Sequence, residues 1–124
     1  MIEIKNSAVL KGFLLHRFHV KLATILCWML DNIPRGVYFT ESFRHELHPG
    51  DLHSTRPVRA VDIRSWIYKD PLKVAEAINK KWIYDPERPE MEVAKYHGNR
   101  KGHGYHIHIQ VHGNTVWRDA GINR

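Results

Sequence analysis

Apolar and polar positions recur in two rhythms along this chain. Between about Leu10 and Leu30, residues Leu14, Phe18, Leu22, Ile25 and Met29 follow one another at spacings of four, four, three and four. That stripe predicts an amphipathic helix with Arg17 and Lys21 turned away from the core. Asn32, Pro34 and Gly36 end it. Val37 to Thr40 predicts a short strand, leading into a polar loop through His45, His48, Pro49, Gly50 and Asp51. Val58 to Ile63 predicts a second strand. Asp70 and Pro71 supply an N-cap and a first-turn proline for a helix to about Trp82. Asp85 to Pro89 is a turn-rich loop. Glu92 to Tyr96 and Tyr105 to Val111 predict strands around a Gly-rich basic loop, and Gly113-Asn114 could turn a hairpin into Thr115 to Trp117. No repeat, low-complexity tract or linker interrupts the pattern. The expected class is α+β, a small antiparallel sheet with helices packed on one side, with residues 1–124 forming one domain.

The second rhythm is sharpest in Tyr105-His106-Ile107-His108-Ile109-Gln110-Val111-His112. In a strand, Tyr105, Ile107, Ile109 and Val111 share one face, and His106, His108, Gln110 and His112 share the other. One histidine there would read as a solvated polar face; three in alternation point to a metal or catalytic site. A second informative stretch runs from His53 to Ser65. Asp62 falls among apolar residues on the face of Val58 and Ala60, and a buried carboxylate needs a cation. Arg59 and Arg64 could provide one. With His53 just upstream, a metal could also do so, because two imidazoles and one carboxylate are the ligands of a tetrahedral catalytic zinc site.

Composition narrows the setting. Apolar residues make up 43% and charged residues 26%, as in a folded globular protein. The net charge of +6 favours an anionic partner, for which nucleic acid and bacterial cell wall both qualify. Cys27 stands alone, which excludes an intramolecular disulfide framework, and its apolar surroundings predict a buried small hydrophobe. The apolar run at Ala8 to Leu30 is broken by Lys11, His16, Arg17, His19 and Lys21, so no membrane span is expected. Met1 to Ser7 has no signal-peptide pattern. The expectation is synthesis in the cytoplasm.

The segments Thr40-Glu41-Ser42-Phe43-Arg44, His53 to Ile63 and His106-Ile107-His108, in that order, are similar to motifs of the hedgehog-like peptidoglycan metallopeptidases. That family includes D-alanyl-D-alanine carboxypeptidases, L-alanyl-D-glutamate endolysins and murein endopeptidases. Its pattern is a strand ending in Ser-Gly-Tyr-Arg, a His followed by Arg-Ala-x-Asp-Ile, and a C-terminal strand carrying His. The resemblance spans roughly residues 10 to 112. It implies a D-Ala-D-Ala peptidase-like fold and a zinc peptidase of phage endolysin character that acts on peptidoglycan peptide stems of the cell wall, after release or as part of a virion. It also implies His53, Asp62 and His108 as zinc ligands and Arg44 as holder of a substrate carboxylate or carbonyl. The gap from His53 to Asp62 is longer than usual, and Val58 stands where many relatives have glycine. Tyr105 occupies the place of the general-base Glu of carboxypeptidase-type members, so the chain resembles the His-x-His branch. There His106 would be the base, helped by His97 or His103, with Glu46 as an outside candidate. The remaining histidines, His16, His19, His45, His48 and His112, are expected at the surface or behind the ligands.

Two other classes fit part of the pattern. His106-Ile107-His108 also matches the His-hydrophobe-His motif of metal-dependent nucleases that cut single-stranded DNA. Those enzymes need a tyrosine nucleophile. None follows His108, and Tyr96, which precedes the motif, lies in a strand pattern, so nucleic acid is disfavoured as the partner. A non-catalytic cell-wall-binding module on the same fold is the other alternative.

Overall fold

In the computed structural model, residues 1–98 and 105–118 are described. The elements in chain order are β1 (Ile2–Ile4), α1 (Ser7–Leu15), α2 (Val20–Asn32), β2 (Val37–Glu41), a 3-10 turn (Leu52–Ser54), β3 (Ala60–Arg64), α3 (Pro71–Lys81), β4 (Trp82–Ile83), β5 (Ala94–His97), β6 (His106–Gln110) and β7 (Val116–Trp117). The class is α+β, with a five-stranded sheet in the order β1-β2-β3-β6-β5.

The alternation along β3 and β6 gives this sheet two unlike faces. Val61, Ile63, Ile107 and Ile109 are fully buried and share one cluster with Leu22, Ile25 and Met29 of α2 and with Ala75 and Ile78 of α3. Fully burying each such aliphatic side chain contributes about 1.5–3 kcal/mol, so this face fixes the register of the central strands. The β3–β6 ladder pairs Asp62 with His108 and Arg64 with His106, which sets the polar residues together on the opposite face.

Four expectations from the sequence need correction. The single helix over Leu10 to Leu30 is two helices, because the chain at 16–19 leaves the helical path to pair with another segment. Val58 N–H donates to the Arg17 carbonyl, His19 N–H donates to the Val58 carbonyl, and Phe18 bridges Val58. Leu14, placed on the apolar stripe, is 72% exposed as a result. The sheet is not wholly antiparallel: β1, too short to carry a sequence pattern, pairs parallel to β2. Gly36, at φ +72°, permits this close approach, since a Cβ there would strike the Met1 carbonyl. The hairpin after Gly113-Asn114 does not form; β7 pairs with β4, and the Lys21 ammonium ties down the turn through the Gly113 and Thr115 carbonyls. Cys27 is exposed, because Leu22, Ile25, Leu26 and Met29 form the inner face of α2 and position 27 falls outside it.

The remaining elements follow the local chemistry. The Asp70 carboxylate caps α3 by accepting from Lys73 N–H, with Pro71 in the first turn. Among the described residues, no helix is long and apolar enough to cross a membrane.

Candidate metal centre

A chain of contacts beginning at β2 positions His53. The β2–β3 register shifts between Phe39 and Glu41, an irregularity of the kind that re-aims the chain beside functional sites. Just beyond it the carbonyl of buried Ser42 lies 2.9 Å from His53 Nδ1. A carbonyl can only accept, so Nδ1 carries the proton and Nε2 is left with a lone pair. The His53 backbone N–H donates to Asp51 Oδ1 at 3.1 Å, and Leu47 N–H donates to Asp51 Oδ2 at 3.2 Å. Arg44 grips the same carboxylate, with Nε and Nη2 at 3.1 and 3.3 Å from its two oxygens. Burial alone would raise the Asp51 carboxyl, but the Arg44 bond and the two backbone donors outweigh it and hold the group below its ordinary value.

Asp62 and His108 face one another across the β3–β6 ladder, with His108 Nδ1 2.9 Å from Asp62 Oδ1. His53 Nε2 approaches the same oxygen to 3.3 Å, yet it is buried and aligned with no hydrogen-bond partner. The ligand atoms of His53, Asp62 and His108 lie within 4.8 Å of one another. The arginines that could have neutralised Asp62 are occupied elsewhere. Arg59 donates to the Val111 carbonyl and the Tyr84 hydroxyl, and the Arg64 guanidinium lies over the Tyr38 and Trp66 rings.

Gln110 gives the second nitrogen of His108 an acceptor. The Gln110 Nε2 donates to the Glu92 carbonyl at 2.9 Å, which turns its Oε1 toward His108 Nε2 at 3.0 Å. Both ring nitrogens of His108 thus face acceptors, and the tautomer that gives its Nε2 proton to Gln110 directs an Nδ1 lone pair at Asp62. In that tautomer two imidazole lone pairs and a carboxylate oxygen converge with no donor between them. A cation, or an additional proton on each ring, makes that arrangement attractive. Burial pushes the Asp62 carboxyl up, but hydrogen bonds from His108 and His53, and their charge when protonated, override this and hold it well below the usual carboxylate range. The group His53, Asp62 and His108 could thus hold a metal ion, and its donor set of two imidazoles and one carboxylate fits zinc.

These residues line a cavity of about 600 Å³. His106 and His97 line it too, opposite one another in the β5–β6 ladder with ring centroids 4.8 Å apart; His97 is 6.5 Å from His108 by the same measure. The structure therefore gathers His53, Asp62, His108, His106, His97 and Arg44 around one space. His103 lies outside the described residues. Glu46 is exposed and absent from the lining, and His112 faces Asp85 and Tyr84 instead. Tyr96 packs against the apolar cluster, so it sits on the far face of the sheet from His108.

Sequence reasoning gave no role to Gln110, Asp51, the Ser42 carbonyl or Lys95. Gln110 was findable, since it follows His108 by two on the same strand face. The other contacts depend on a loop path and a backbone atom that no spacing reveals. Comparison with family models, with curated proteins and with solved structures finds no match for this chain.

Proposed function

We propose that this chain is a zinc-dependent peptidase that hydrolyses peptide bonds of bacterial peptidoglycan, on a fold of the hedgehog-like, D-Ala-D-Ala peptidase type. One observation carries the metal assignment: the buried, donorless Nε2 of His53 and the Nδ1 of His108 are both aimed at one Asp62 oxygen. Two histidines and one carboxylate leave a fourth tetrahedral position for water or substrate, the feature that separates catalytic from structural zinc sites. Zinc held there would supply Lewis-acid activation of water and of the scissile carbonyl.

The chain's own groups supply the remainder. His106, on the same strand face as His108, takes a proton from the attacking water on an imidazole nitrogen and returns one to the leaving amine. His97, stacked at an angle beside it, orients that ring. Peptidoglycan is favoured as substrate by the order of the Ser-Phe-Arg, His to Asp-Ile and His-x-His segments and by the net charge of +6. Single-stranded DNA cleavage is disfavoured because Tyr96, the tyrosine that such a mechanism would use, is packed on the other side of the sheet.

The test is zinc content by elemental analysis, with peptidoglycan digestion on the same samples, for wild type and for His53→Ala, Asp62→Ala and His108→Ala. About one zinc per chain in wild type, lost together with digestion in each variant, is the expected result. Zinc without digestion would indicate a binding module. A wild type that takes up no zinc after reconstitution would overturn the proposal.

A further inference from the structure

We propose that Lys95 is the receptor for a substrate carboxylate in this cavity, so that the site selects peptides bearing a free carboxylate next to the bond to be cut. The assignment rests on the peptidase reading and adds to it the group that recognises the substrate. Its starting point is the state of Arg44. Resemblance assigns the carboxylate to that residue, but its fork spans both oxygens of Asp51, and Nη1 reaches Glu41 at 3.4 Å. Asp51 is 3% exposed, so taking Arg44 away from it would strand a buried charge. Arg44 is held as part of the scaffold beneath His53.

Lys95 stands differently. It lines the same cavity as His53, Asp62 and His108, and it is the Cα partner of His108 in the β5–β6 ladder. Neighbouring strands lie roughly 5 Å apart, so the stem of Lys95 begins about one peptide residue from the metal ligands. Among the described residues its ammonium has no hydrogen bond and no ion pair. Arg44 and Lys95 balance Asp51 and Asp62 among the charged side chains lining the cavity, so a divalent ion would leave it strongly positive. Such a cavity attracts anions, and Lys95 is the lining cation with its charge uncommitted. A lysine on an edge strand also keeps the freedom to close on a ligand, which a guanidinium clamped to a buried carboxylate lacks.

The experiment uses the full chain loaded with zinc, with metal stoichiometry measured first. Calorimetric titration then compares N-acetyl-dialanine, its C-terminal amide, and N-acetyl-alanyl-glutamate carrying an α-amide, so that a terminal and a side-chain carboxylate are distinguished. The expected result is that one of the two acids binds wild type about tenfold tighter than the amide. The preference should fall close to unity in Lys95→Met, be largely restored in Lys95→Arg, and weaken with added salt. Arg64→Met removes the same charge from the same sheet face outside the cavity, and it should leave the preference intact. A preference unchanged in Lys95→Met, or no preference in zinc-loaded wild type, overturns the Lys95 assignment alone. A wild type that binds no zinc removes the peptidase reading and this assignment with it.

Discussion

Replacing Gln110 with alanine tests the proton placement on which the metal centre depends. Gln110 supplies no ligand atom itself. It accepts from His108 Nε2 at 3.0 Å while its own amide is anchored on the Glu92 carbonyl at 2.9 Å. In Gln110→Ala the imidazole loses the partner that keeps Nδ1 free of a proton and aimed at the site. Losing such an outer partner typically costs tenfold to a hundredfold in metal affinity, or about 1.4–2.7 kcal/mol. The lost bond from Gln110 to the Glu92 carbonyl should also lower the stability of the metal-free chain, by about 0.5–1.5 kcal/mol. Gln110→Glu separates the two effects. It keeps an acceptor for His108 but sets a carboxylate against the Glu92 carbonyl, so zinc affinity should recover while stability does not. Competition titration against a chromophoric zinc chelator reads the first quantity, and urea unfolding of the metal-free protein reads the second. Zinc affinity in Gln110→Ala within about threefold of wild type would refute the role given to this residue.

Three further perturbations follow from the same geometry. Arg44→Ala should cost about 1–3 kcal/mol in chemical denaturation, less than a fully buried pair because the Arg44 side chain is 27% exposed; unchanged stability with a raised KM alone would instead make Arg44 a substrate ligand. Gly12→Ala should destabilise by about 1–3 kcal/mol and weaken zinc binding, since a Cβ there would strike the hydroxyl of Ser42, the residue that donates to the Val9 carbonyl and whose own carbonyl holds His53; thermal melts with zinc titration on the same variant check both. Burial pushes the Tyr68 phenol up to about 12 from its ordinary 10, and it donates to the Gly36 carbonyl. The neutral phenol is the form the folded state favours, so this contribution is complete below pH 10 and is lost as pH rises through about 12. Unfolding free energies across that window should show the decline in wild type and not in Tyr68→Phe, which should itself lose about 1 kcal/mol at neutral pH.

Much of this protein was determined by its sequence alone, because strand and helix periodicity are local properties. The alternation of His106, Ile107, His108, Ile109 and Gln110 dictates a two-faced strand wherever the chain folds. Asp70 and Pro71 start α3 through contacts within one turn. The candidate ligands His53, Asp62 and His108 were readable as residue types suited to zinc, and α+β followed from the order of elements. Tertiary structure decided what depends on partners distant in sequence. Val58 captures the backbone at 17–19 and splits one predicted helix into two, since pairing those groups outweighs continuing a helix. The β3–β6 register, set by the buried aliphatic face, brings Asp62 opposite His108. The lone pairs of His53 and His108 are aimed by a Ser42 carbonyl and a Gln110 amide, and Arg44 is drawn to Asp51 while Lys95 is left facing the cavity. Periodicity places a side chain on a face, but the proton on a ring nitrogen and the partner of a charge are set by whichever atoms the completed fold brings within about 3 Å.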